Sequence, residues 1–332
     1  MIEARGIRRT YHTRSLLGTE VVQALRGVDF TLPEGGAVSF IGESGCGKTT
    51  LGKILTGLET YDSGTLVIDG VDVARIRGRK RTRLFQKIQM IHQDPYSALN
   101  PTRTIRQILG DPLRMHARET RKPSGWVEQR SQELLSLVGL DGDTVLPKYP
   151  HTLSGGQRQR IVIARALTVD PQVLVADEAV SMIDVSMRLG ILTLLRDLRR
   201  DLGISLMFIT HDVATARYVG EGGELHVIYR GEVIERGPTD VVITEPVHPY
   251  TQCLLSAVPV LHGIEREGED RLIPLAMLDE RTRTDGCLFA PRCPFAQDNC
   301  HVEHPTLTSI GDGTQQHACL YPRVRHVVAT EV

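Results

Sequence analysis

Four short apolar runs, each ending abruptly in polar residues, constrain this chain more than any other feature of it. Ala37-Val38-Ser39-Phe40-Ile41 runs into Gly42-Glu43-Ser44-Gly45-Cys46-Gly47-Lys48-Thr49-Thr50, and Ile88-Gln89-Met90-Ile91 runs into His92-Gln93-Asp94. Val173-Leu174-Val175-Ala176 ends at Asp177-Glu178, and residues 204–210 end at His211-Asp212. Apolar runs without polar alternation predict strands covered on both faces, with helices between them. Open α/β sheets of that kind place their ligands beyond the carboxyl ends of the strands. The four polar endings are therefore expected at one site.

Gly42-x-x-x-x-Gly47-Lys48-Thr49 satisfies the phosphate-loop pattern in its required setting of strand, loop and helix. Glycines permit torsions and a close approach that a Cβ blocks. The N–H groups along Ser44, Gly45, Cys46, Gly47, Lys48, Thr49 and Thr50 can then face phosphate oxygens at a helix N-terminus. Lys48 is expected to bridge the β- and γ-phosphates, and the Thr49 hydroxyl to ligate Mg²⁺. Asp177 stands where an acid holds Mg²⁺ through its water shell, and Glu178 where a base polarises the attacking water. Each motif has a bland reading of its own, a glycine-rich turn or a surface acidic pair. Together they predict ATP binding.

Leu153-Ser154-Gly155-Gly156-Gln157-Arg158-Gln159-Arg160 opens a helix in which Ser154 is a good N-cap and the glycines leave N–H groups bare for an anion. With this motif the chain resembles the nucleotide-binding subunit of an ABC transporter, whose signature is Leu-Ser-Gly-Gly-Gln. The order agrees: phosphate loop, Gln93, signature, Asp177-Glu178, Ser181-Met182-Ile183-Asp184, then His211. The resemblance covers roughly residues 1–238 and implies an α/β fold, a P-loop NTPase ABC cassette with a mixed sheet core, an antiparallel β patch and a helical signature subdomain. It implies that Tyr11 stacks on adenine, that Gln93 reaches Mg²⁺ and the attacking water, and that His211 contacts the γ-phosphate. Met182-Ile183 stand where Ala-Leu is usual in the loop ending at Asp184, and Ala179 where Pro is common. In the family, ATP lies between two cassettes, with Ser154, Gly155, Gly156 and Gln157 of one facing the phosphate loop of the other. One copy of each motif implies a second cassette subunit, identical or homologous.

Around these motifs, helix-like segments between Gln93 and Pro150 form an insert, placing a helical subdomain at about residues 94–165. Residues 21–32 and 64–73 read as an antiparallel strand patch, and a last strand pair around Gly231 ends at Gly237-Pro238. A boundary is expected there, dividing a cassette at 1–238 from a Cys-rich extension at 239–332. Pro246-Val247-His248-Pro249-Tyr250-Thr251-Gln252, with an apolar run to Pro259, is similar to the C-terminal extension of the oligopeptide, dipeptide and nickel subfamily of ABC importers. Ile91-His92-Gln93-Asp94-Pro95-Tyr96 with Leu99-Asn100-Pro101 also resembles that subfamily. The resemblance implies import of peptides or a related small solute through two separate membrane permease subunits, served by an extracytoplasmic solute-binding protein. It places the chain as a peripheral subunit on the cytoplasmic face of the cell membrane. Nickel chelates and other small solutes stay open as cargo.

Of the six cysteines, Cys287, Cys293, Cys300 and Cys319 crowd the end of the chain. Five, six and eighteen residues separate them, without the short Cys-x₂₋₄-Cys knuckles of most structural zinc sites. Four thiolates on a loop-rich scaffold suit an iron–sulfur cluster, and the spacing resembles a [4Fe–4S] site in some members of the subfamily. Zn²⁺, free thiols and adventitious disulfides are the alternatives.

Composition removes other classes. Lys plus Arg number 39 against 40 acidic residues, so no global field attracts nucleic acid. The basic run Arg75, Arg77, Arg79, Lys80, Arg81, Arg83 and Lys87 has few aromatic stacking partners at 5% aromatics, and reads as a solvated face. No apolar run approaches the ~18 residues of a membrane span, and the first residues carry no apolar signal core. The competing function is a soluble ABC ATPase acting on the ribosome or nucleic acid; such chains carry two cassettes, or split one with a coiled coil, and neither is present.

Overall fold

The computed structural model describes residues 1–15, 18–257 and 285–325. Two sheets carry the cassette. The smaller is antiparallel, ordered β2-β1-β4-β5, from β1 (Ile2–Ser15), β2 (Gly18–Leu32), β4 (Ser63–Ile68) and β5 (Val71–Asp72). Asp69 and Gly70, both at positive φ, make the tight turn between β4 and β5. The larger sheet runs β11-β12-β10-β9-β3-β8-β7-β6. Its parallel part comprises β3 (Ala37–Ile41), β6 (Ile88–Ile91), β7 (Val173–Asp177), β8 (Ser205–Ile209) and β9 (Glu224–Tyr229). Antiparallel pairing then adds β10 (Glu232–Pro238), β12 (Gln315–His317) and β11 (Thr308–Ile310) at one edge.

The unbroken apolar runs follow from two cores on opposite faces of the larger sheet. Leu174, Ala176, Leu206 and Phe208 point into a core shared with the helical insert, beside Leu109, Leu134 and Ile161. Val173, Val175, Met207 and Ile209 point the other way, toward Phe30, Leu51 and Leu66 at the smaller sheet. Each buried Val, Leu, Ile, Met or Phe side chain contributes about 1.5–3 kcal/mol, and period-two alternation puts neighbours on opposite faces.

Helix α1 (Lys48–Leu55) follows the phosphate loop, and α2 (Gly78–Gln86) carries much of the basic run on an exposed face. The insert comprises α3 (Pro95–Ala98), α4 (Ile105–Thr120), α5 (Trp126–Leu137) and α6 (Gly142–Val145), and leads to α7 (Gly155–Ala166). Thr104 caps α4 in a reciprocal box with Gln107, and Gly139 leaves α5 at positive φ. Next come α8 (Val185–Leu202) and α9 (Val213–Val219), and then α10 (Thr239–Thr244) and α11 (Pro249–Ser256) of the extension. The apolar run expected to reach Pro259 is helical to Ser256; Pro259 lies outside the described residues.

The extension is built onto the cassette. Its strand β12 pairs with β10, Glu235 opposite His317, and continues the larger sheet. Tyr250, Cys253, Leu255 and Phe289 share a core with Ile41, Val227 and Tyr229. The buried Glu235 carboxylate accepts N–H bonds from Val247 and His248 and a third from Gln315 Nε2, at 2.8, 3.0 and 2.8 Å. No helix among the described residues is long and apolar enough to cross a membrane.

Candidate functional site

The parallel strands deliver their polar endings to one edge. β3 opens directly into the phosphate loop, where Gly42 and Gly47 hold φ of 153° and 106°. A Cβ on Gly42 would meet the Ile228 carbonyl oxygen at 2.2 Å, and one on Gly47 the Ala24 carbonyl oxygen at 2.2 Å. Both positions demand glycine because backbone crowds them. The Lys48 side chain is buried and folds back along the loop, donating to the carbonyls of Gly42 at 2.7 Å and Glu43 at 2.8 Å. Those bonds hold the ammonium inside the arc that triphosphate oxygens occupy in phosphate loops.

Thr49 Oγ1, in the first turn of α1, donates to Asp177 Oδ1 at 3.1 Å. Burial raises the Asp177 carboxyl above its ordinary value, and the neighbouring Glu178 charge adds to this while Thr49 and Lys48 oppose it. Glu178 follows with φ of 47°, an unfavourable left-handed conformation for a residue with a side chain. That turn aims its carboxylate across the strand ends. Gln93 Nε2 donates to Glu178 Oε2 at 2.9 Å, and His211 Nδ1 lies 3.4 Å from Glu178 Oε1. Ser181 Oγ bonds the Glu178 carbonyl at 3.0 Å, which ties the loop leading to Asp184 to the same turn. Five residues from four widely separated stretches of sequence, Thr49, Gln93, Asp177 with Glu178, and His211, are thus brought together.

The signature residues lie elsewhere in the chain. Ser154 caps α7 in a reciprocal box: its hydroxyl accepts from Gln157 N–H at 3.3 Å, and its own N–H donates to Gln157 Oε1 at 3.1 Å. Gly155 faces open space, and a Cβ on Gly156 would meet the Met187 side chain. Among the described residues no hydrogen bond or ion pair links Ser154 or Gln157 to the phosphate loop, Asp177 or Glu178. Asp184 is the N-cap residue of α8, with no capping hydrogen bond from its side chain. Tyr11, on β1, bonds Glu59 through its hydroxyl at 3.2 Å and carries the Arg9 guanidinium over its ring at 4.9 Å. Glu59 and Arg9, which hold it, both lie outside residues 42–50.

Two residues to which the sequence motifs assign no part in the site, Tyr250 and Arg292, reach the phosphate loop from the extension. The Glu43 N–H donates to the Tyr250 hydroxyl at 2.9 Å. Arg292 grips the Glu43 carboxylate with both prongs, at 2.7 and 2.8 Å. Separations of 207 and 249 residues leave no local signal for either contact.

Cys287, Cys293, Cys300 and Cys319 converge on one pocket, walled by Phe289, Phe295 and Leu320, with all four thiols free. Burial pushes the Cys293 thiol up to about 12 and the Cys319 thiol up to about 11, and raises Cys287 in the same direction. Backbone N–H groups two residues onward, at Phe289, Phe295 and Tyr321, bond toward the sulfurs of Cys287, Cys293 and Cys319. The pocket thus gathers soft sulfur donors, three of them with N–H bonds aimed at them, within an apolar wall. Among the described residues no group of three or more His, Cys, Asp or Glu is arranged to hold a metal ion, these four cysteines included.

Comparison with known proteins agrees with this geometry. The ABC transporter family model matches residues 25–181, and the model for the oligopeptide/dipeptide transporter C-terminal region matches residues 234–300. The dipeptide transport ATP-binding protein DppF of Haemophilus influenzae is 38% identical over 321 residues, covering 94% of both chains. The di/tripeptide transport ATP-binding protein DppF of Pseudomonas aeruginosa is 38% identical over 321 residues, covering 96% of this chain and 97% of its own. Among solved structures, the dimeric post-hydrolysis state of the ATP-binding cassette MJ0796 with ADP and Pi superposes at a TM-score of 0.61. It is 28% identical and covers 72% of this chain and 99% of its own. Phosphate loop, converging strand ends and matched C-terminal region together make this chain an ATP-binding protein of the ABC transporter family, in the group that carries the oligopeptide/dipeptide transporter C-terminal region.

Proposed function

We propose that the chain is the ATP-hydrolysing subunit that energises import of peptides or a related small solute. It works as a cassette, residues 1–238, carrying an extension, residues 239–332, and pairs with a second identical or homologous cassette. The pair docks on two permease subunits at the cytoplasmic face of the cell membrane, and an extracytoplasmic binding protein supplies cargo. The observation that carries this reading is the meeting of Gln93, Glu178 and His211 beside the Thr49–Asp177 contact, at the mouth of the phosphate loop.

Chemistry follows from those positions. The loop N–H groups of residues 44–50 and the Lys48 ammonium hold the β- and γ-phosphates, and Tyr11 offers its ring to adenine. Thr49, Asp177 and Gln93 would hold Mg²⁺, which supplies charge neutralisation at the phosphates when bound. Glu178, braced by Gln93, orients the attacking water and accepts its proton, an effect worth typically 10²–10⁴ in rate. His211 contacts the γ-phosphate beside it. Ser154, Gly155, Gly156 and Gln157 of the partner cassette close over the same phosphate, with Asp184 at the seam, so bound ATP clasps the pair and hydrolysis releases it.

Cys287, Cys293, Cys300 and Cys319 would hold a [4Fe–4S] cluster, supported by the shared pocket and the N–H bonds to sulfur. Such a group supplies a rigid, redox-active centre to the extension when bound.

The test is copurification. Tagged chain extracted with mild detergent is expected to bring down two permease subunits and a second cassette, and the complex to hydrolyse ATP faster with its loaded binding protein. Isolation with ribosomes or nucleic acid, and no permease, contradicts the proposal.

A further inference from the structure

The phosphate loop carries a carboxylate of its own, Glu43, immediately after Gly42. Negative charge in a cradle for triphosphate weakens binding unless it is covered. The cover comes from the extension. Arg292 closes on Glu43 as a two-pronged ion pair at 2.7 and 2.8 Å, with its own side chain only 6% exposed against 32% for Glu43. The guanidinium also donates to the Tyr229 hydroxyl at 3.3 Å. Tyr229, Tyr250 and Phe289 pack ring against ring with centroids 4.7–5.4 Å apart, forming the wall behind it. Tyr250 accepts the Glu43 N–H, and Lys48 takes the Glu43 carbonyl. Side chain, N–H and carbonyl of one loop residue are each held, two of them by residues of the extension. Arg292 ends a 3-10 turn and directly precedes Cys293, so this anchor belongs to the scaffold of the thiol pocket.

We propose that Arg292 is a positioning residue for the nucleotide: its ion pair neutralises Glu43 and pins the first arm of the phosphate loop to the C-terminal extension, so that the extension sets the affinity of the cassette for ATP. This rests on residues 42–49 being the ATP cradle. Arginine suits the task because its planar fork matches both carboxylate oxygens and stays charged when buried. Lysine offers one prong, and glutamine offers no charge.

The experiment measures binding of a fluorescent ATP analogue by the full chain, and KM and kcat for ATP in the assembled complex. Arg292→Gln is expected to weaken binding and raise KM about tenfold or more, with kcat at saturation within about twofold of the original. Arg292→Lys is expected to fall between. The double variant Glu43→Gln/Arg292→Gln is expected to recover most of the lost affinity, because the uncovered charge has gone. Unchanged affinity in Arg292→Gln overturns the proposal. So does a double variant as weak as Arg292→Gln with Arg292→Lys equally weak, which assigns Arg292 to packing alone. Lys48→Ala serves as the reference: if it binds the analogue as tightly as the original chain, the cradle reading itself is wrong, whatever Arg292 does.

Discussion

Gln93 and Glu178 are hydrogen-bonded across 2.9 Å, side-chain amide to carboxylate, although 85 residues separate them. The bond joins the end of β6 to the end of β7, neighbouring parallel strands. It leaves the Glu178 carboxylate oriented by one partner while His211 approaches its other oxygen at 3.4 Å. That arrangement fixes the Glu178 carboxylate between the ends of two strands, which is the basis for the catalytic role proposed for it.

Glu178→Gln keeps the shape of the side chain and removes its capacity to accept a proton. Hydrolysis by the assembled complex is expected to fall by about 10²–10⁴, with ATP binding retained and closed cassette pairs accumulating in size-exclusion chromatography. Loss of binding together with hydrolysis assigns Glu178 to the cradle instead.

Thr49→Val deletes the hydroxyl that donates to Asp177 at 3.1 Å, with little change in volume. The Mg²⁺ concentration giving half-maximal hydrolysis is expected to rise about tenfold, as one oxygen ligand is lost. An unshifted Mg²⁺ titration removes Thr49 from the metal site.

Glu235 connects cassette and extension, and burial pushes its carboxyl up to about 7 from an ordinary value near 4.5. The folded chain then holds a proton that the unfolded chain releases, so this group's contribution to stability is full below about 4.5 and is lost as pH rises to about 7. The loss is on the order of 3 kcal/mol. Chemical denaturation of the full chain and of Glu235→Gln across this window measures it. The difference between the two stability curves is expected to slope from pH 4.5 to 7 and flatten above; a flat difference throughout refutes the assignment.

Anaerobic purification is expected to yield about four iron atoms and inorganic sulfide per chain, lost on replacing Cys293 with Ser. Equimolar zinc, or iron retained without Cys293, contradicts the cluster.

The cassette was largely legible because its strands bury both faces, leaving uninterrupted runs such as Val173 to Ala176 that end sharply at acids. Gly42 and Gly47 were equally readable, since close backbone at 2.2 Å excludes any other residue there. β1 carries no clear strand signal in its sequence. Only Ile2, Ala4 and Ile7 of its first half are buried, arginines intervene, and register shifts between Ala4 and Ile7 break the alternation. β11 and β12 are three residues each with little apolar content; β12 exists by pairing with β10 roughly eighty residues away, and β11 by pairing with β12. Arg292 on Glu43 is likewise a product of long-range folding that no local pattern records.

Transport itself tests the account most directly. Peptide uptake into vesicles carrying the complete complex, with ATP and Mg²⁺ on the cassette side, is expected to follow ATP hydrolysis and to stop in Glu178→Gln while ATP stays bound. Uptake that continues at the original rate in Glu178→Gln, or without ATP, contradicts the claim that this cassette drives it.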